Sequence, residues 1–140
     1  MDELTQRIKL HEGFEPSVYK DSLGYETIGY GCMVDKRKGG RLSQAACDFI
    51  LAEQIKAAHD ELVGQSFFKY LDIVRQDALT ELNFAMGLHA LLEFKNMLDA
   101  LKVKDYMRAA QELHASLWAA EVGNARTIDL CHRLQFGRYL

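Results

Sequence analysis

Residues 11–31 read HEGFEPSVYKDSLGYETIGYG, and the rest of the chain is arranged around that stretch. Glu12 closes a short amphipathic run in which Leu4, Ile8 and His11 recur at helical spacing. Asp2 supplies an N-cap and Gly13 a stop, so the spacing predicts a helix over 3–12. The character then changes. Aromatic and β-branched residues alternate with turn formers, and KDSLG separates two such runs. This pattern predicts a small antiparallel sheet with strands near 17–20, 25–28 and 31–34. Gly29 and Gly31 permit tight bends between the last two.

The stretch also carries chemistry. Glu12 sits at a helix C-terminus, where the negative end of the macrodipole disfavours a carboxylate. A cleft wall would disfavour it further by desolvation, and both effects favour the protonated form that a general acid needs. Asp21 lies in a turn beside Lys20, with backbone amides on offer, and is expected to stay ionised. One neutral and one charged acid is the division of labour used in glycoside hydrolysis. Thr27 follows on the returning strand, where its hydroxyl can help Asp21 hold a water. Taken singly, each residue is ordinary: Asp opens many turns and Glu-Gly ends many helices. A calcium loop is a poorer reading, because DSLGYE lacks the alternating oxygen ligands.

Beyond the stretch, DKRKGGR forms a loop and Ser43 caps a long helix over about 44–64. Cys47, Ile50, Leu51, Gln54, Ile55 and Ala58 share one face of it, read as a packing face. Everything from 66 onward reads helical, with QDALTELNFAMG (76–87) apolar on most sides and therefore buried. The expected class is α+β, mainly α. A sheet-bearing lobe over about 13–42 is joined by the long helix to a helical lobe over about 66–140. That lobe is expected to include the N-terminal helix, the whole forming one domain over 1–140, with a ligand cleft between lobes.

Composition narrows the function. The chain has 140 residues, enough for a real core, and a single proline, Pro16. Cys32, Cys47 and Cys131 are odd in number and form no CxxC pair, which argues against a disulfide framework or zinc site. His59, His89, His114 and His132 have no metal-ligand spacing, so no metal is expected from them. The net charge of −3 and the lack of a long basic run argue against nucleic acid. No apolar run approaches the ~18 residues of a membrane span, and MDELTQRIKLHEG has no signal-peptide core. Trp118 is read as core rather than as a sugar platform.

The joint spacing of HEG and YKDSLGYETIGYG resembles the phage-type lysozymes, glycoside hydrolase family 24. LNFAMG at 82–87, FKNML at 94–98, SLW at 116–118 and VGNAR at 122–126 match that family in type and order. The resemblance implies a lysozyme-like fold and a muramidase, which cuts the β-1,4 bond between N-acetylmuramic acid and N-acetylglucosamine for cell-wall lysis. Glu12 would be the general acid, and Asp21 and Thr27 would handle the attacking water. Met33 and Phe84 would contact saccharide, and Arg126 would be the cation near Glu12. The implied partner is peptidoglycan, and the resemblance implies no cofactor. The enzyme would be a monomer, made in the bacterial cytoplasm without a signal peptide and without membrane insertion, reaching the wall after release, for example by a holin.

This chain departs from the T-even pattern at several places. His11 replaces an acid. Cys32 and Gln54 replace an ion pair. Ala85 replaces a cleft glutamine, and Met97 and Glu112 fill polar substrate-contact positions. The segment between sheet and long helix is also short. Two alternatives stand beside the hydrolase. A lytic transglycosylase would need the acid but not the Asp-Thr pair, and a wall-binding module would need none of the three.

Overall fold

In the computed structural model, which describes residues 2–140, the first helix starts where the sequence places it. The Asp2 carboxylate accepts the Thr5 N–H at 2.8 Å, and α1 runs Glu3–Glu12. An Arg7–Glu3 pair at 2.7 Å spans one turn on its exposed side. Gly13 ends it at φ 72°, donating its N–H to Lys9 at 3.1 Å. Only glycine enters that conformation without a Cβ penalty.

Three antiparallel strands follow: β1 (Glu15–Lys20), β2 (Glu26–Gly29) and β3 (Cys32–Met33), in the order β1-β2-β3. The register pairs Tyr19 with Thr27 and Thr27 with Met33. Pairing is irregular between Glu15 and Tyr19. Pro16 falls in that stretch of an edge strand, where its missing N–H breaks no ladder. β1 starts two residues earlier than the alternation predicts, and β3 is a two-residue stub. Strand ends without burial on either face carry little sequence signal.

The Asp35–Gly40 loop folds back on the sheet. Glu26 accepts the Gly39 N–H at 3.1 Å, and this bond chiefly holds its carboxyl below the usual range. Lys38 stands over the Tyr25 ring at 5.9 Å. The DKRKGGR loop is therefore anchored to β2.

Backbone contacts divide the chain into two compact units, one ending at Ile50 and the other spanning Leu51–Leu140. The boundary falls within α2 (Gln44–Val63), whose first turn is capped when Ser43 Oγ accepts the Ala46 N–H at 3.2 Å. The apolar face predicted for α2 packs only in part. Ala58 and Leu62 are buried, but Ile50, Leu51 and Ile55 are 41%, 45% and 45% exposed. Only the C-terminal turns of α2 reach a core.

That core belongs to the second unit. It contains α3 (Ile73–Met86), α4 (Leu88–Leu92), α5 (Lys95–Lys102), α6 (Tyr106–His114), α7 (Leu117–Val122) and α8 (Asn124–Phe136). Leu62, Phe68, Leu79, Leu82, Leu91, Met97, Leu101, Leu113, Leu130 and Leu134 fill its centre. α3 is the helix predicted to be buried, and it ends at Gly87. Trp118 packs against the same core, as expected.

Two buried arginines brace this unit. Arg75 Nε and Nη2 donate to the Leu134 and Gln135 carbonyls at 2.7 and 2.8 Å, closing the end of α8. Its guanidinium stacks on Tyr106 at 3.4 Å. Arg133 pairs with Glu81 and with Asp129. All three cysteines are free, Cys32 and Cys47 at the surface and Cys131 half-buried. Burial pushes the Cys131 thiol up. Among the described residues no helix is long and apolar enough to cross a membrane.

Candidate active site

Glu12 is the last residue of α1, and that helix end is held to the β2–β3 turn by rings and charge. Phe14 and Tyr30 lie 5.1 Å apart, centroid to centroid, and Lys9 Nζ sits 4.9 Å above the Tyr30 ring. Such contacts contribute about 0.5–1.5 kcal/mol each. They bring the Glu12 side chain onto Gly31. A Cβ built on Gly31 would stand 2.6 Å from Glu12 Oε2. The bare glycine makes room for the carboxylate. Glu12 is itself exposed, so the desolvation expected from the sequence is not supplied by the sheet.

Asp21 is fixed by its own turn. Its Oδ1 accepts the Leu23 and Tyr25 N–H groups, both at 2.9 Å. Its backbone adds Asp21 N–H to Tyr25 at 2.9 Å and accepts Gly24 N–H at 3.0 Å. One oxygen thus holds the turn, and Oδ2 is left for another partner. This is the Asx-turn chemistry that the DSLG sequence encodes.

Thr27 lies in the middle of β2 and is 4% exposed. Its Oγ1 donates to the Tyr25 carbonyl at 3.1 Å. The hydroxyl proton is therefore committed, and what remains is a pair of acceptor sites. Met33 is the cross-strand neighbour of Thr27 on β3 and is half-exposed. Glu12, Asp21, Thr27 and Met33 thus all sit in the first unit.

Phe84 and Arg126 belong to the second. They line a pocket of about 350 Å³ with Leu51, Ile55, Asp77 and Glu81. Arg126 Nε donates to Glu81 Oε1 at 3.0 Å, and its guanidinium lies 5.8 Å from the Trp118 ring. The sequence reading missed Glu81, which ties Arg126 and Arg133 together. It also missed the Gly31 contact. GYG after the strand is the signal that it contained. No group of His, Cys, Asp or Glu able to hold a metal occurs among the described residues.

The sequence model of the family described as Phage lysozyme matches residues 9–134, which is nearly the whole chain and includes every site residue above. The chain belongs to the phage lysozyme family. It is accordingly a glycoside hydrolase of the lysozyme type, acting on peptidoglycan. It is also similar to a protein named "Probable T4-type lysozyme 1" from Dictyostelium discoideum. The two are 26% identical over 144 residues, covering 84% of this chain and 85% of the other.

Proposed function

We propose that the chain is a muramidase that hydrolyses the β-1,4 bond between N-acetylmuramic acid and N-acetylglucosamine, with inversion at the anomeric carbon. Glu12 donates a proton to the leaving oxygen. Asp21 and Thr27 hold the attacking water on the opposite face of the sugar. Met33 and Phe84 contact saccharide, and Arg126 supports the acid. The role is lysis of the bacterial wall by a monomeric enzyme, after release by a partner such as a holin.

The observation that carries this reading is the state of the Asp21–Thr27 pair. Asp21 Oδ1 is locked by two amides while Oδ2 stays available, and Thr27 Oγ1 can only accept. An acceptor pair of this kind orients water; it has no proton to give a leaving group. Inverting enzymes need such a water, with carboxyls about 6.5–9.5 Å apart. The acid is supplied separately by Glu12 at the helix end.

The test is digestion of purified peptidoglycan, read by proton NMR of the first-formed ends. The expected product is a hydrolysed muramic acid end in the α configuration. Retained β configuration would overturn the water-holding role, and 1,6-anhydromuramic ends would place the enzyme among transglycosylases. Glu12→Gln should fold and lose lysis by at least ~100-fold. A folded, lytically normal Glu12→Gln protein would remove the assignment of the acid.

A further inference from the structure

We infer that the loop over residues 35–41 is a recognition surface for the free carboxylates of the peptides that peptidoglycan carries on its glycan strands. DKRKGGR places four cations beside a single acid, Asp35. That acid is spent within the loop, since its Oδ2 accepts the Arg37 Nε–H at 2.9 Å. Lys36, Lys38 and Arg41 are exposed and form no ion pair with any carboxylate among the described residues. Three cations therefore stand unneutralised in a chain whose net charge is −3.

The loop is pinned, and both of its ends return to Glu26 on β2. The Glu26 carbonyl accepts the Val34 N–H at 2.9 Å, and Glu26 Oε2 accepts the Gly39 N–H at 3.1 Å. The Gly40 N–H closes a turn onto the Arg37 carbonyl at 3.1 Å. Lys38 Nζ lies 5.9 Å from the centre of the Tyr25 ring and 3.5 Å from where a Cβ on Gly24 would stand. Glu26 is the one carboxylate of β2, and it does not neutralise the loop. Its Oε2 is taken by the amide, and its Oε1 faces Lys20 at 3.8 Å.

These contacts set the cations beside the residues proposed to hold the attacking water. Glu26 precedes Thr27 in the strand, and Gly24 and Tyr25 belong to the turn that Asp21 holds, with the Tyr25 N–H on Asp21 Oδ1. The polymer on which this family acts supplies the counterpart. Its peptide-substituted sugars are uncharged and offer nothing to three lysine and arginine heads. The peptides attached to them end in carboxylates, which complement the loop in sign.

The location of the surface rests on the Asp21–Thr27 reading, but its binding can be measured whatever bond is cut. Co-sedimentation on ice, at low salt, of the whole protein with insoluble peptidoglycan stripped of teichoic acid is the test. Native material should bind the protein. The same material with its carboxylates converted to amides by carbodiimide and ammonia should bind it about fivefold more weakly. Lys36→Gln with Lys38→Gln and Arg41→Gln should lose about the same factor on native material and should no longer distinguish it from the amidated form. Lys69→Gln with Lys104→Gln and Arg108→Gln removes the same charge from the second unit and should bind as the parent does, with the amidation response intact. Equal binding of both materials by the parent, undiminished binding by the loop variant, or an equal loss in the second-unit variant would each overturn the assignment. Binding that occurs only on walls still carrying teichoic acid would give the cations to phosphodiesters and overturn it as well. Failure of the muramidase reading would show instead in the sugar ends released, which sedimentation does not read.

Discussion

The carboxylate of Glu12 occupies the space that a side chain at Gly31 would need, with Oε2 2.6 Å from the position of a Cβ there. A methyl at residue 31 would force the Glu12 side chain, which is exposed, out of its present position. Under the role proposed for Glu12, orientation of the proton donor is worth orders of magnitude in rate, so the proposal makes activity sensitive to this glycine.

Gly31→Ala should therefore lower kcat for wall lysis by about 10–100-fold, because a methyl at residue 31 displaces the carboxylate. Gly29→Ala is the matched control. Gly29 has φ 71° against 66° for Gly31, but nothing lies within 4 Å of its Cβ position. Both variants carry similar backbone strain, of about 1 kcal/mol. Comparable activity in the two would show that the Glu12 contact is irrelevant to catalysis.

Asp21→Asn keeps an oxygen that accepts the Leu23 and Tyr25 amides, so the turn should persist and the melting temperature should change little. The charge proposed to orient water would be gone, and lysis should fall by about 100-fold or more. Asp21→Ala should lose both the turn and the activity. Substantial lysis by a stable Asp21→Asn protein would mean that the residue serves the turn alone.

Arg133 is 5% exposed at its side chain and pairs with Glu81 and Asp129, whereas Arg126 is 38% exposed and shares Glu81. Removing a buried cation strands its partners, so Arg133→Met should cost about 2–3 kcal/mol in urea unfolding. Arg126→Met should cost under about 1 kcal/mol. Equal losses would show that burial of the pair does not set its value.

Asp72 caps α3 and pairs with Arg75. Burial pushes its carboxyl up, but the bonds from Arg75 and that residue's charge outweigh burial and hold it below the ordinary value. A carboxyl depressed on folding contributes stability that is present above its unfolded pKa, near ~3.9, and lost as pH falls through the folded value. Asn also caps helices, so Asp72→Asn isolates the charge. The variant should melt below the parent at pH 7, by well under ~1 kcal/mol because the side chain is 41% exposed. The gap should close as pH drops below ~4. A gap that widens in acid would reverse the sign of this argument.

Much of the site was legible because it is local. Asp2, Gly13, the DSLG turn and the Ser43 cap act on residues one to four positions away, so the sequence alone placed Glu12 at a helix end and Asp21 in a turn. Thr27 was legible as a strand residue for the same reason. α3 was readable as buried because apolar residues cover most of its faces.

What the sequence could not decide were the contacts made across the fold. Glu12 meets Gly31 only once Lys9, Phe14 and Tyr30 have fixed α1 on the sheet. Arg75 and Arg133 look like surface cations in the sequence, and only the helix bundle buries them against distant carbonyls and carboxylates. The apolar face of α2 reads as packing throughout, yet it is buried only at its C-terminal turns, at Ala58 and Leu62. Periodicity records which side of an element is apolar; whether anything covers that side depends on partners far along the chain.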